Sequence, residues 1–97
     1  MNGPKLIAAL TLYDARLANS SLPSTKMPTN RVANSRPMRL SHCRWMCQEM
    51  LRLLNEEDDV GQYQAILEKG MRWLGFIQGV LWIEGYYTID EMREHNR

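Results

Sequence analysis

The stretch that decides the fold runs from Gly61 to Tyr87, GQYQAILEKGMRWLGFIQGVLWIEGYY. It holds two of the three tryptophans, three of the four tyrosines and the only phenylalanine. Steps of three and four residues predict one apolar helical face: Tyr63, Ile66, Leu67, Gly70, Leu74, Ile77 and Leu81. Other apolar residues widen that face: Trp73, Phe76, Val80 and Ile83. The second half is apolar nearly all round, which predicts burial by neighbouring helices or by copies of the chain.

Three glycines interrupt this helix, at Gly70, Gly75 and Gly79. Each glycine inside a helix costs roughly 0.5–1 kcal/mol relative to alanine, so close packing is expected to compensate. Gly75 and Gly79 are four residues apart, a spacing that lets another backbone approach closely. We expect helix–helix packing here, within the chain or across a homo-oligomer interface. A ligand lying against the backbone is the alternative.

Length and charge set limits on the kind of protein. A chain of 97 residues is one domain with a thin core, which association of copies can supplement. We expect a homo-oligomer, because the central helix has more apolar surface than two partner helices can cover. The overall charge is +1, but residues 1–50 carry seven Lys/Arg against two acids, and residues 51–97 carry five against nine. This asymmetry suits head-to-tail docking of copies or an anionic ligand on the N-terminal half.

No secretory signal or run of about 20 apolar residues is present, so we expect a soluble protein of a reducing cytosol with no membrane partner. Cys43 and Cys47 lie four apart on a predicted helix and cannot easily form a disulfide. Cysteines on an apolar helical face usually act as small hydrophobic residues. His42 and His95 add possible zinc ligands, but His42 and Cys43 point about 100° apart on a helix. We expect no metal, no cofactor and no catalytic residues.

The expected fold is all-α: a small helical bundle built on an antiparallel pair, residues 37–55 and 61–85. Residues 4–18 form a first helix, and residues 89–95 a short last one. Ser35 is the expected N-cap of the second helix, Gly85 the left-handed stop of the third, and Thr88 with Glu91 a capping box.

A long basic loop, residues 19–36, follows the first helix, and it contains two prolines and no acid. Loops of this length are usually functional or disordered. We treat residues 19–36 as a flexible loop within the single domain 1–97; ordering over an anion is the alternative.

Basic and aromatic residues form the most suggestive cluster. Arginine offers a planar fork that matches phosphate, and tryptophan or tyrosine can stack on a base. The candidate ligand-binding residues are Tyr13, Lys26, Arg31, Arg36, Arg39, Arg44 and Trp45. Arg72 and Trp73 on the central helix extend the cluster. In the alternative interpretation, Arg39, Arg44 and Arg72 cover the surface and pair with the acidic run Glu56–Asp59.

The segment MRWLGFIQGVLW, with the closing TIDEMREHNR, resembles the ends of short helical accessory proteins of tailed bacteriophages. The segment LSHCRWMCQE from Leu40 is similar in the same loose way, and together they cover about half the chain. No functional residues are established for that group, so none is carried over. The resemblance implies a viral accessory protein in the cytoplasm of a bacterial host. Small non-enzymatic proteins of that setting often counter host defence.

Three functions therefore stay open. The first is sequestration of a small phosphorylated nucleotide signal, with Arg31, Arg36, Arg39 and Arg44 on phosphate and Trp45 or Tyr13 on the base. The second is inhibition of a host defence protein through an aromatic patch near Trp82, Tyr86 and Tyr87. The third is a small DNA-binding regulator with the basic half on phosphates.

Overall fold

The computed structural model describes all 97 residues, and the fold is all-α, as predicted. The helices are α1 (Gly3–Asn19), α2 (Arg36–Glu56), α3 (Val60–Ile83) and α4 (Ile89–His95). Their ends lie within two residues of the expected bounds. None of the four helices has the length and apolar character needed to cross a membrane.

The predicted helix ends are confirmed. The Ser35 hydroxyl accepts a hydrogen bond from the backbone N–H of Met38 at 3.3 Å and so caps α2. Thr88 and Glu91 form the capping box, each side chain accepting a bond from the other's backbone N–H at 3.1 and 3.0 Å. Gly85 follows α3 with φ +81°, a left-handed conformation that favours glycine and lets the chain turn into α4.

Helices α2 and α3 form the predicted antiparallel pair. Arg36, at the start of α2, contacts Glu84, which follows the end of α3. Further along, the rings of Trp45 and Trp73 lie 5.9 Å apart. The connection between the two helices is only residues 57–59, so the chain reverses there and the two helices lie side by side.

Helix α1 packs against both members of the pair. The Asp14 carboxylate accepts a hydrogen bond from Arg44 on α2 at 3.1 Å. Leu6 of α1 lies against Gly70 of α3, and the Tyr13 hydroxyl of α1 accepts a hydrogen bond from Gln78 of α3 at 2.9 Å. Since residue numbers rise together on these two helices, α1 runs parallel to α3 and antiparallel to α2.

The long loop, residues 20–35, contains no helix or strand and lies along α2. The Thr25 N–H donates to the Ser41 carbonyl at 3.2 Å, and the Met27 N–H donates to Nδ1 of His42 at 3.1 Å. These bonds fix the middle of the loop beside the first turns of α2.

The two sides of α3 differ sharply. The predicted apolar face is confirmed at its centre, which we call the inner face: Gly70, Leu74, Ile77, Gln78 and Leu81, all buried. The opposite side, the outer face, is exposed: Met71, Arg72, Gly75, Phe76, Gly79, Trp82 and Ile83. Helices of the same chain therefore cover only one side of α3, and burial of the other side by copies of the chain stays a prediction.

The glycines divide between these two faces. A Cβ atom at Gly70 would lie 2.7 Å from Cδ2 of Leu6 and 3.1 Å from the Met50 sulfur, so close packing there is confirmed. A Cβ atom at Gly75 or Gly79 would meet nothing within 4 Å. No helix of the same chain therefore packs against these two glycines, and packing across a homo-oligomer interface stays a prediction.

Candidate functional site

A cavity of about 280 Å³ lies where the long loop meets α2 and α3, and we call it the loop cavity. The loop contributes Met27 and Arg31 to its wall. Helix α2 contributes Arg39 and His42, which lie three residues apart on one side of the helix, and α3 contributes Phe76. Two predicted arginines therefore meet here, together with an imidazole and an aromatic ring.

The two arginines of the loop cavity differ in their surroundings. Arg31 is exposed and makes no ion pair or side-chain hydrogen bond. Arg39 donates from Nε to Glu84 at 2.7 Å and from Nη1 to the Ala33 carbonyl at 3.3 Å. These bonds hold the Arg39 guanidinium in place and use only part of its donor set. Arg39 is thus a fixed donor and Arg31 an uncompensated charge.

His42 supplies a third donor. Its Nδ1 accepts the Met27 N–H, so the neutral ring carries its proton on Nε2. Burial lowers the pKa of His42 below its usual value, and the nearby Lys26 ammonium lowers this pKa further. At neutral pH the His42 ring is therefore an uncharged Nε2–H donor.

An aromatic groove of about 290 Å³ adjoins the loop cavity; it is lined by His42, Trp45, Met46, Trp73 and Phe76. The His42 and Trp45 rings stack with centroids 5.5 Å apart, and the Lys26 ammonium lies 5.2 Å from the Trp45 ring centroid. Because His42 and Phe76 line both spaces, a cationic cavity and an aromatic groove meet at these two side chains.

Three of the predicted site residues lie elsewhere. The Tyr13 side chain is fully buried, and its hydroxyl lies 2.7 Å from Nδ1 of His95. Burial raises the pKa of Tyr13. Arg44 contacts Asp14 and donates to the Leu22 carbonyl at 2.6 Å. Tyr13 is thus a core residue, and neither it nor Arg44 is part of the candidate site.

Arg36 also lies outside the cavity and groove. Its Nε donates to Glu84 at 3.0 Å, and its guanidinium carbon lies 5.5 Å from the centroid of the Tyr86 ring. Glu84, with a side chain only 8% exposed, therefore binds both Arg36 and Arg39. The alternative interpretation pairs the surface arginines with the acidic run 56–59, but Arg39 and Arg44 pair with Glu84 and Asp14 instead.

The two cysteines are not reactive groups. Both side chains are fully buried. Burial raises the pKa of Cys43 to about 12, and it also raises the pKa of Cys47. Both thiols are therefore protonated at neutral pH, and they act as core residues. No three His, Cys, Asp or Glu side chains lie close enough together to hold a metal ion.

The two side chains shared by the loop cavity and the aromatic groove, His42 and Phe76, were not among the predicted site residues. His42 could have been found, because it follows Arg39 by three residues and so shares its side of α2. The same spacing argument separates Arg44 from Arg39 by about 140° around the helix. Phe76 had no such signal, since its place in the predicted apolar face suggested burial rather than a cavity wall.

Comparison of the chain with protein-family models, curated proteins and solved structures finds no match.

Proposed function

We propose that the chain is a non-enzymatic binding protein that sequesters a small phosphorylated nucleotide. The resemblance to phage accessory proteins supports a setting in the host cytoplasm, where removal of a nucleotide signal would counter a host defence. The observation that carries the proposal is the shared wall between the cationic loop cavity and the aromatic groove, formed by His42 and Phe76. A nucleotide needs both kinds of surface side by side.

The phosphate belongs in the loop cavity. Arg31 has no acidic partner, so a bound anion would neutralise its charge. Arg39 is held by Glu84 and Ala33, which orients its remaining N–H donors without further ordering cost. The His42 Nε2–H adds a neutral donor. Three donors of this kind on one small cavity favour a phosphate over an uncharged ligand.

The base belongs in the aromatic groove. Trp45 and Trp73 provide ring faces, and stacking of a base on an aromatic side chain is worth roughly 1–3 kcal/mol. Cavities of about 280 and 290 Å³ lie near the lower limit of small-molecule sites, roughly 300–1,000 Å³. The expected ligand is therefore of mononucleotide size or one half of a dinucleotide.

Thermal unfolding with a panel of linear and cyclic nucleotides tests this proposal. A ligand at about 100 times its dissociation constant should stabilise the fold by about 2.7 kcal/mol. Arg31→Ala should abolish that stabilisation, because it removes the uncompensated charge that a bound anion would neutralise. The variant should still fold, since Arg31 makes no ion pair or side-chain hydrogen bond. Arg93→Ala is the matched control, because Arg93 is also an exposed arginine but lies on α4, and this variant should keep the stabilisation by the ligand. Failure of every nucleotide to stabilise the chain, or an unchanged shift in Arg31→Ala, contradicts the proposal.

A protein–protein inhibitor is the second candidate, favoured by one observation. Trp82 is 51% exposed beside a groove of about 410 Å³ that also contains Tyr87 and the acidic residues Asp90 and Glu91. The predicted aromatic patch is smaller than expected, because Tyr87 packs against the core. Capture of a stoichiometric host protein that is lost in Trp82→Ala would favour this function.

A DNA-binding regulator receives less support. Arg36, Arg39 and Arg44 all contact carboxylates of the same chain, at Glu84 and Asp14. They therefore do not form one open basic face for a row of phosphates. Binding to long DNA with a steep salt dependence would reverse this preference.

A further inference from the structure

The outer face of α3 is an apolar surface that no other part of the chain covers. Between Met71 and Ile83 it exposes a single charged residue, Arg72. Its large side chains Phe76, Trp82 and Ile83 are 56%, 51% and 74% exposed. Adjacent exposed apolar side chains of this size usually mark a binding surface.

We propose that a second copy of this chain covers the outer face, with the two α3 helices crossing antiparallel about a twofold axis at position 77. A twofold contact is isologous, so every contact between two different positions occurs twice, once in each direction. The axis is level with Ile77 but lies on the opposite side of the helix from its buried side chain. It therefore brings together residues that lie equally far before and after position 77. This proposal goes beyond nucleotide binding and does not depend on it.

The residue pattern is self-complementary in this register. Gly75 faces the partner's Gly79, where neither residue has a side chain to keep the backbones apart. Met71 faces the partner's Ile83, which pairs two exposed apolar side chains. Arg72, which makes no ion pair within the chain, faces the partner's Trp82, and a cation over an indole ring is attractive.

A parallel crossing of the same face is disfavoured. Each residue would then meet its own copy, so Arg72 would lie against the partner's Arg72. Two like charges at that distance repel each other. The single charge on the outer face thus selects the antiparallel arrangement.

The two outer glycines give separate support. A Cβ atom at Gly75 or Gly79 would meet nothing within 4 Å, so the fold of one chain has no need of glycine there. Each still weakens α3 by roughly 0.5–1 kcal/mol relative to alanine. Close approach of a second backbone accounts for both residues. Phe76 lies at the edge of this face and also lines the loop cavity, so the second copy would border the cavity opening.

The contact is small, because it involves one helix from each copy. Standard interfaces use about 20–30 residues on each side, so association through one helix is expected to be weak and to depend on concentration. Mass measured by light scattering from about 5 to 500 μM should therefore rise from that of one chain toward that of two.

Two charge variants and their mixture test the register. Met71→Lys and Ile83→Glu alter exposed residues and should keep the fold, but each should weaken self-association by at least about tenfold, because it places a charge against an apolar side chain. The matched control is Leu12→Glu, an exposed apolar residue of α1, which should leave self-association unchanged. An equimolar mixture of the two charge variants should recover it, since the introduced lysine of one chain faces the introduced glutamate of the other only in an antiparallel pair.

Each outcome decides the question. A mass of one chain at all concentrations overturns the proposal, whether or not a host protein binds the same face. Self-association that survives both charge variants places the interface elsewhere and also overturns it. If the variants separate the chains but their mixture does not restore the pair, the antiparallel register is wrong.

Discussion

The inner and outer faces of α3 contain the same kinds of residue in opposite surroundings. Gly70 on the inner face is closed in by Leu6 and Met50, whereas Gly79 on the outer face is open to solvent. Ile77 is fully buried, whereas Ile83 is 74% exposed. The difference shows that residue type alone does not decide burial here. What decides it is how many helices the chain has available to cover α3.

The largest expected contrast between the faces concerns the two isoleucines. Ile77→Ala removes a fully buried side chain and should cost about 2–5 kcal/mol in the free energy of unfolding. Ile83→Ala should change the free energy of unfolding by no more than about 0.5 kcal/mol at low protein concentration, where any second copy is dissociated. Urea unfolding of both variants measures the contrast. Equal costs would mean that the two faces are not different in solution.

The next contrast concerns glutamine. Gln78 on the inner face donates to the Tyr13 hydroxyl at 2.9 Å and to Asn96 at 2.7 Å. Gln78→Leu should cost about 1–3 kcal/mol, because the buried Tyr13 hydroxyl loses a partner. Gln64→Leu, at an exposed position of the same helix, is the control and should change little. Unfolding curves that coincide for the two variants would contradict the role given to Gln78.

A smaller contrast, in sign rather than size, separates the glycines. Gly70→Ala should destabilise by about 1 kcal/mol, since crowding against Leu6 exceeds the gain in helix propensity. Gly79→Ala should stabilise the single chain by about 0.5–1 kcal/mol, because its methyl group meets nothing. Melting temperatures of dilute samples should therefore move in opposite directions. Movement in the same direction would remove the distinction.

The smallest expected effect lies where α2, α3 and the loop meet, at His42. Its pKa is lowered in the folded state, so the unfolded chain binds a proton more readily. The stability contribution is present above the usual pKa of about 6.5 and is lost as pH falls below that value. Wild type should lose more stability than His42→Gln between about pH 7.5 and 5.5. The glutamine oxygen can still accept the Met27 N–H, so equal losses would show that His42 does not titrate in this way.

Much of the fold could be predicted because its signals are local. Ser35, Gly85 and the Thr88–Glu91 box mark helix ends through contacts made within a few residues. The inner face of α3 also follows from spacing alone. The exposure of Phe76 and Ile83 could not be predicted, because it depends on how far the neighbouring helices extend around α3.

The candidate site was predictable only in part. Arg31, Arg39, Lys26 and Trp45 do gather around the loop cavity and aromatic groove, as the composition of this region suggested. Tyr13 was misplaced, since an apolar stripe predicts burial without showing how deep a residue lies or which polar partner it finds. Glu84 is distant in sequence from Arg36 and Arg39, so their pairing is visible only in three dimensions.

The two cysteines of α2 have one further use. Cys43 and Cys47 are the only thiols, and neither side chain is exposed at all. A thiol reagent in solution can reach them only when α2 separates from its neighbours. Their labelling rate therefore measures how often the core opens transiently, and no cysteine has to be introduced for the experiment. Any molecule that binds the closed form will lower the rate at which the two cysteines are labelled.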